Sequence, residues 1–122
     1  GNVVAPSQVG SVEFAASQLG TRLVVVLGHS NCGAVDATLK ALAQEQQTRS
    51  PNLRSIVDRI RPAVEDLENP SLHDAVIANV RNSANRLQRG SEILESMVES
   101  GELTIVGAEY SIESGEVRFL DT

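Results

Sequence analysis

Apolar Val9, Val12, Phe14, Ala15 and Leu19 recur near helical spacing from Gln8 to Leu19, and Gly20 closes the stretch, so a helix is predicted there. Arg22 to Leu27 (RLVVVL) is a short β-branched run without alternation. It predicts a strand buried on both faces, as in a parallel sheet. Gly28 to Gly33 reads as a tight loop, and Ala34 to Gln47 as a helix with Val35, Leu39 and Leu42 on one side. Asn52 to Leu67 has helical spacing on both sides of Pro62, which should kink or break it. Ser71 suits the N-cap of a helix running to about Gln88, with Asp74 as an acidic near-match to a capping box. Ser91 caps a further helix to about Ser100, closed by Gly101. Leu103 to Ala108 (LTIVGA) predicts a second buried strand, and Ile112 to Leu120 alternates around Ser114-Gly115 as a hairpin-like turn and edge strand. Helices joining two apolar strands make a crossover. The predicted fold class is α/β, a mostly parallel β-sheet flanked by helices, in a single domain spanning residues 1–122.

Composition narrows the possibilities. At 122 residues the chain can bury a real core, and with 41% hydrophobic and 21% charged residues it has the make-up of a soluble globular protein. Aromatic side chains are scarce, so Val, Leu, Ile and Ala must build that core. A net charge of −6 provides no basic face for nucleic acid and disfavours anionic membranes. The longest strictly apolar run, Leu23 to Leu27, is far short of a membrane span, and no signal-peptide pattern opens the chain. One cysteine excludes an internal disulfide, so a cytoplasmic location is expected, although a targeting segment ahead of Gly1 is compatible with this sequence.

The chemistry gathers in VVVLGHSNCGAV, which holds His29 and the lone Cys32 just past the first strand. Ligand sites in parallel sheets lie at the carboxyl ends of strands. In a tight turn, imidazole and thiolate can converge on zinc at about 2.0–2.1 Å and about 2.3 Å, with Gly28 and Gly33 giving the backbone freedom to bend. Spacing alone leaves a second reading open, a core histidine beside a small buried cysteine. Three other motifs fit less well. GHSNC departs from the G-x-S-x-G nucleophile elbow at Cys32. A cysteine nucleophile needs an oriented base, and His73 has no evident orienter. A phosphate loop would need more glycines and a Lys-Ser/Thr ending.

VVVLGHSNCGAVDA resembles the second zinc-ligand segment of the β-class carbonic anhydrases, a buried strand followed by G-H-S-x-C-G-A. Upstream, GNVVAP is similar to the tail of that family's R-N-A-G-N segment, and SVEFAASQLG to its S-[IL]-E-[YF]-A-x-x-x-L-G helix. At the other end, ILESMVESGELTIVGAEYSIESGEVRFLD resembles the closing helix, strand and hairpin.

The resemblance implies Zn2+ as cofactor, His29 and Cys32 as metal ligands, and Gly33 at the substrate pocket with its backbone N–H available. Tyr110 aligns with a tyrosine that helps hold a non-catalytic bicarbonate in some members, although a buried hydrogen-bonded tyrosine is the simpler expectation. The implied reaction is the reversible hydration of carbon dioxide to bicarbonate. Zinc lowers the pKa of bound water far below that of bulk water, to about 7. The family's remaining cysteine and its Asp/Arg catalytic dyad come from a C-x-D-S-R segment ahead of R-N-A-G-N. This chain begins at Gly1-Asn2, inside that second motif, so no catalytic residue is assigned here and two central strands of the family fold are expected to be missing. A cropped portion of a longer zinc enzyme is the favoured expectation. An inactive binding or scaffold module and a relative acting on carbon disulfide or carbonyl sulfide are the alternatives. Arg81-Asn82 mimics the lost motif only by eye and is expected on a solvated helix face. Association into a homodimer or higher homo-oligomer is the family's default.

Overall fold

The computed structural model describes residues 1–44 and 50–120, in the order α1 (Pro6–Gln18), β1 (Leu23–His29), α2 (Gly33–Gln44), α3 (Pro51–Val64), α4 (Leu72–Arg89), α5 (Glu92–Glu99), β2 (Thr104–Tyr110) and β3 (Val117–Phe119). The last three residues of the helix predicted to Gln47 lie outside the described residues. The predicted starts are built as the sequence suggests. Ser71 Oγ accepts the Asp74 N–H at 3.0 Å while Asp74 Oδ2 accepts the Ser71 N–H at 3.2 Å, a closed capping box. Ser91 Oγ likewise accepts the Leu94 N–H at 3.2 Å. Pro62 does not break its helix into two: α3 is continuous and carries it in its last turn, where little helix remains to disrupt.

The sheet order is β1-β2-β3, with β1 and β2 parallel from Leu23↔Thr104 to His29↔Tyr110, and β3 antiparallel to β2. Helix α4 covers one face. Its Val80, fully buried, sits where Cβ atoms on Gly28 and Gly107 would lie 2.5 and 2.7 Å from its methyl groups, so both glycines let the helix approach the sheet. Gly28 therefore belongs to the strand, a different role from the loop hinge expected of it. A first core cluster joins Val26, Val80, Leu87, Leu94 and Ile105, with Val9 and Val12 of α1 against it. A second joins Cys32, Val35, Ile60, Val64 and Val76 beneath the β1–α2 turn, with Leu39 and Leu42 packed on as predicted.

The expectation that the first strand is buried on both faces needs correction. Val24, Val26 and Gly28 face α4, but Leu23, Val25 and Leu27 are 55%, 39% and 47% exposed. By register they share a face with Val106, Val117 and Phe119, and no described helix packs on it. The outer edge of β1 is likewise unpaired among the described residues. It borders an apolar groove of about 200 Å³ lined by Val4, Val12, Val24, Val26 and Leu87. Among the described residues no helix is long and apolar enough to cross a membrane.

Candidate metal centre

His29 is the last residue of β1 and Cys32 immediately precedes α2, so both stand at the carboxyl end of a parallel strand. The predicted Gly28–Gly33 loop is shorter than expected. Gly33 opens α2, and the bend is made at Ser30–Cys32, where Asn31 takes φ 56°. Asparagine is one of the few residues that tolerates this left-handed conformation.

The His29 ring approaches the Ser30 carbonyl with Nδ1 at 2.9 Å. A carbonyl can only accept, so Nδ1 carries a proton, and in the neutral ring Nε2 then keeps its lone pair. That is the usual arrangement of a metal-binding imidazole, with one nitrogen tied to a carbonyl and the other presented. Cys32 is buried, at 2% exposure, against the start of α2. Burial pushes its thiol up, but the backbone N–H of Val35, the Gly1 ammonium and the backbone N–H of Ala34 outweigh it, leaving the thiol below its ordinary value. Gly1 packs beside the sulfur. A Cβ on Gly1 would lie 2.9 Å from Ala34 Cβ, 2.9 Å from Ile60 Cδ1 and 3.7 Å from Cys32 Sγ, a gap that fits only glycine without rearrangement. Its neighbour Asn2 is anchored by α4. Asn79 Nδ2 donates to the Asn2 carbonyl at 2.9 Å, and Ser83 Oγ donates to the same oxygen at 3.3 Å.

The donor set suits zinc as far as it goes: one neutral imidazole nitrogen and one thiol biased toward thiolate. Among the described residues no group of three or more His, Cys, Asp or Glu side chains is arranged to hold a metal, so the described residues bring no third such ligand to His29 and Cys32.

The carbonic anhydrase family profile matches residues 1–117. The carbonic anhydrase of Mycolicibacterium smegmatis is 34% identical over 121 residues, covering 97% of this chain and 58% of its own length. The β-carbonic anhydrase CafA of Aspergillus fumigatus superposes with a TM-score of 0.76 at 30% identity, over 98% of this chain and 59% of that one. The chain belongs to the β-carbonic anhydrase family. It spans about three-fifths of the length of the relatives it matches. A tetrameric β-carbonic anhydrase of Sordaria macrospora shares the fold with a TM-score of 0.78 at 16% identity, covering 98% of this chain and 64% of its own.

Other sequence candidates of this β-carbonic anhydrase chain fall as follows. Gly33 is exposed at the first turn of α2, where backbone N–H groups have no intrahelical partner. Tyr110 is directly opposite His29 in the β1–β2 register. It is 36% exposed, so the simpler expectation of a buried tyrosine is overturned: its strand ends at the open side of the sheet. His73 Nδ1 lies 3.0 Å from Glu109 Oε2, but that buried oxygen accepts no hydrogen bond, and Arg118 Nη2 is 3.5 Å from the other oxygen, so His73 still has no orienting hydrogen bond among the described residues. Arg81 is exposed and Asn82 half-buried, but the same helix turns Asn79 and Ser83 inward. Glu113 is the largest omission. Its carboxylate accepts from Ser30 Oγ at 3.0 Å, Asn31 Nδ2 at 2.6 Å and Ser111 Oγ at 3.1 Å. Its own backbone N–H, then Ser30, Ser111 and Asn31, hold its carboxyl below the usual carboxylate range. A glutamate in a polar turn carries no sequence signal of such a role.

Proposed function

We propose that this chain carries half of a zinc site for the reversible hydration of carbon dioxide, the other half residing in sequence that its longer relatives possess. The observation that carries the reading is His29 with Nδ1 tied to the Ser30 carbonyl, three residues before a Cys32 whose thiol is held below its ordinary value. His29 and Cys32 would hold the zinc. Bound there, zinc supplies a nucleophilic oxygen at neutral pH. Gly33 would offer its N–H to a substrate oxygen, and Tyr110 is the candidate for an accessory bicarbonate contact. The unpaired edge of β1 and its apolar groove fit an added strand from the family's C-x-D-S-R portion.

Zinc-loaded, the 122-residue chain should show no carbon dioxide hydration above the metal-buffered background in a stopped-flow assay. Joining a C-x-D-S-R-bearing segment of a relative ahead of Gly1 should restore turnover, and His29→Ala should remove it again. A folded, zinc-loaded chimera without activity would support the inactive-module alternative.

A homo-oligomer is part of the same proposal. Leu23, Val25, Leu27, Val117 and Phe119 form one exposed apolar sheet face that ends at His29 and Tyr110, and a second copy of the chain would cover it. Light scattering should give a mass of two chains or more, reduced to one by Leu27→Lys with Phe119→Glu. A monomeric wild-type chain would count against it.

A further inference from the structure

The turn between His29 and Cys32 is held by a carboxylate that lies 83 residues beyond Ser30. Ser30 is fixed at four points. Its N–H donates to the Tyr110 carbonyl at 2.9 Å, and its Oγ donates to Glu113 Oε2 at 3.0 Å. That hydroxyl also accepts the Ile112 N–H at 2.9 Å, while its carbonyl accepts from His29 Nδ1 at 2.9 Å. Asn31, the residue in the left-handed conformation, donates to Glu113 Oε1 at 2.6 Å. One side chain therefore grips both residues that separate the two ligand candidates. The task suits a carboxylate, which presents about four lone pairs and no proton of its own at neutral pH. Glutamine would offer one acceptor oxygen and turn an NH2 toward donors.

We propose that Glu113 is a positioning residue for the metal centre, fixing the Ser30–Asn31 turn and, through the Ser30 carbonyl, the tautomer and ring direction of His29. The proposal rests on the zinc reading for its purpose, but not for its geometry. Partners of this kind are typically worth about 10–100-fold in metal affinity, because they set which nitrogen is bare and where it points. Glu113 is itself exposed, so its removal should spare the fold.

The test uses the 122-residue chain with Glu113→Ala, Glu113→Gln, Ser30→Ala and the Glu113→Ala/Ser30→Ala double variant. In the metal-free protein, nitrogen NMR should show the wild-type His29 ring as the Nδ1–H tautomer and Glu113→Ala as a mixture. Amide exchange at Ser30, whose N–H donates to the Tyr110 carbonyl, should accelerate. With cobalt(II), Glu113→Ala should raise the dissociation constant about tenfold, with Glu113→Gln between it and wild type. In the Ser30→Ala background the same substitution should lose most of its effect, leaving the part carried by Asn31. A loss of helical circular dichroism would signal unfolding, and Glu113→Gln then decides. Unchanged tautomer and exchange in Glu113→Ala would overturn the proposal. Failure of the wild-type chain to bind cobalt at all would instead count against the zinc reading, and the metal-free measurements still decide the role of Glu113.

Discussion

Cobalt(II) added to the 122-residue chain should produce a thiolate-to-metal charge-transfer absorption that Cys32→Ser abolishes. Structural zinc sites draw about 10–16 kcal/mol from four ligands, so one ligand is worth about 3 kcal/mol. That is roughly a hundredfold in affinity, and a serine hydroxyl, which stays protonated, cannot replace it. His29→Ala should weaken binding comparably yet keep the absorption at saturating metal, because the sulfur remains. The pH dependence has a definite sign. Binding requires thiolate, so affinity rises with pH and levels off above the Cys32 pKa. Because that pKa lies below the ordinary thiol value, the plateau begins at lower pH than for an unperturbed cysteine. An absorption that survives Cys32→Ser would remove the sulfur from the centre.

Much of the fold is legible in the chain because its signals are local. Ser71 with Asp74, and Ser91, mark helix starts through hydrogen bonds that span three residues, and those bonds form. Gly101 and Gly115 adopt φ 81° and 76° where a helix and a hairpin turn end. Burial of β1 is not local. An unbroken run such as Leu23 to Leu27 says that both faces suit an apolar setting, not that both are covered within one chain of this length. Gly28 misleads for a related reason. A glycine beside a histidine and a cysteine invites a loop, whereas its cause is Val80, some fifty positions on, pressing against the strand.

The site divides along the same line. His29 and Cys32 share one short motif, and their residue types alone suggest a soft metal. What holds them comes from afar: Glu113 in the final turn, Asn79 and Ser83 on α4, and Gly1 in a gap beside the sulfur. Asn79 shows why such residues escape a pattern search. Within Leu72–Arg89 it reads as one more polar residue of a polar helix, and only the packed structure shows it 1% exposed with a carbonyl to satisfy.

That buried amide yields the second large effect. Asn79→Asp should leave the chain nearly as stable as wild type near pH 4 and cost about 3 kcal/mol or more at pH 7. Protonated, the new carboxyl can still donate to the Asn2 carbonyl. Ionised, it faces two oxygens of Asn2, the carbonyl and Oδ1. Its folded pKa is therefore raised above the unfolded value of about 3.9. A raised acid leaves stability intact below the unfolded pKa and loses about 1.4 kcal/mol for each pH unit between the unfolded and folded values. Two to three units of elevation give the stated cost. Urea unfolding of variant and wild type at both pH values, compared as a difference, measures it. Asn79→Ala serves as the reference, with a loss of about 1–3 kcal/mol that should not depend on pH. The damage should reach the metal centre, because releasing Asn2 frees Gly1 from its gap beside Cys32. Alkylation of Cys32 at pH 7 should accordingly be faster in Asn79→Asp than in wild type, and equal rates would show that the first residues are held to the centre by something other than α4.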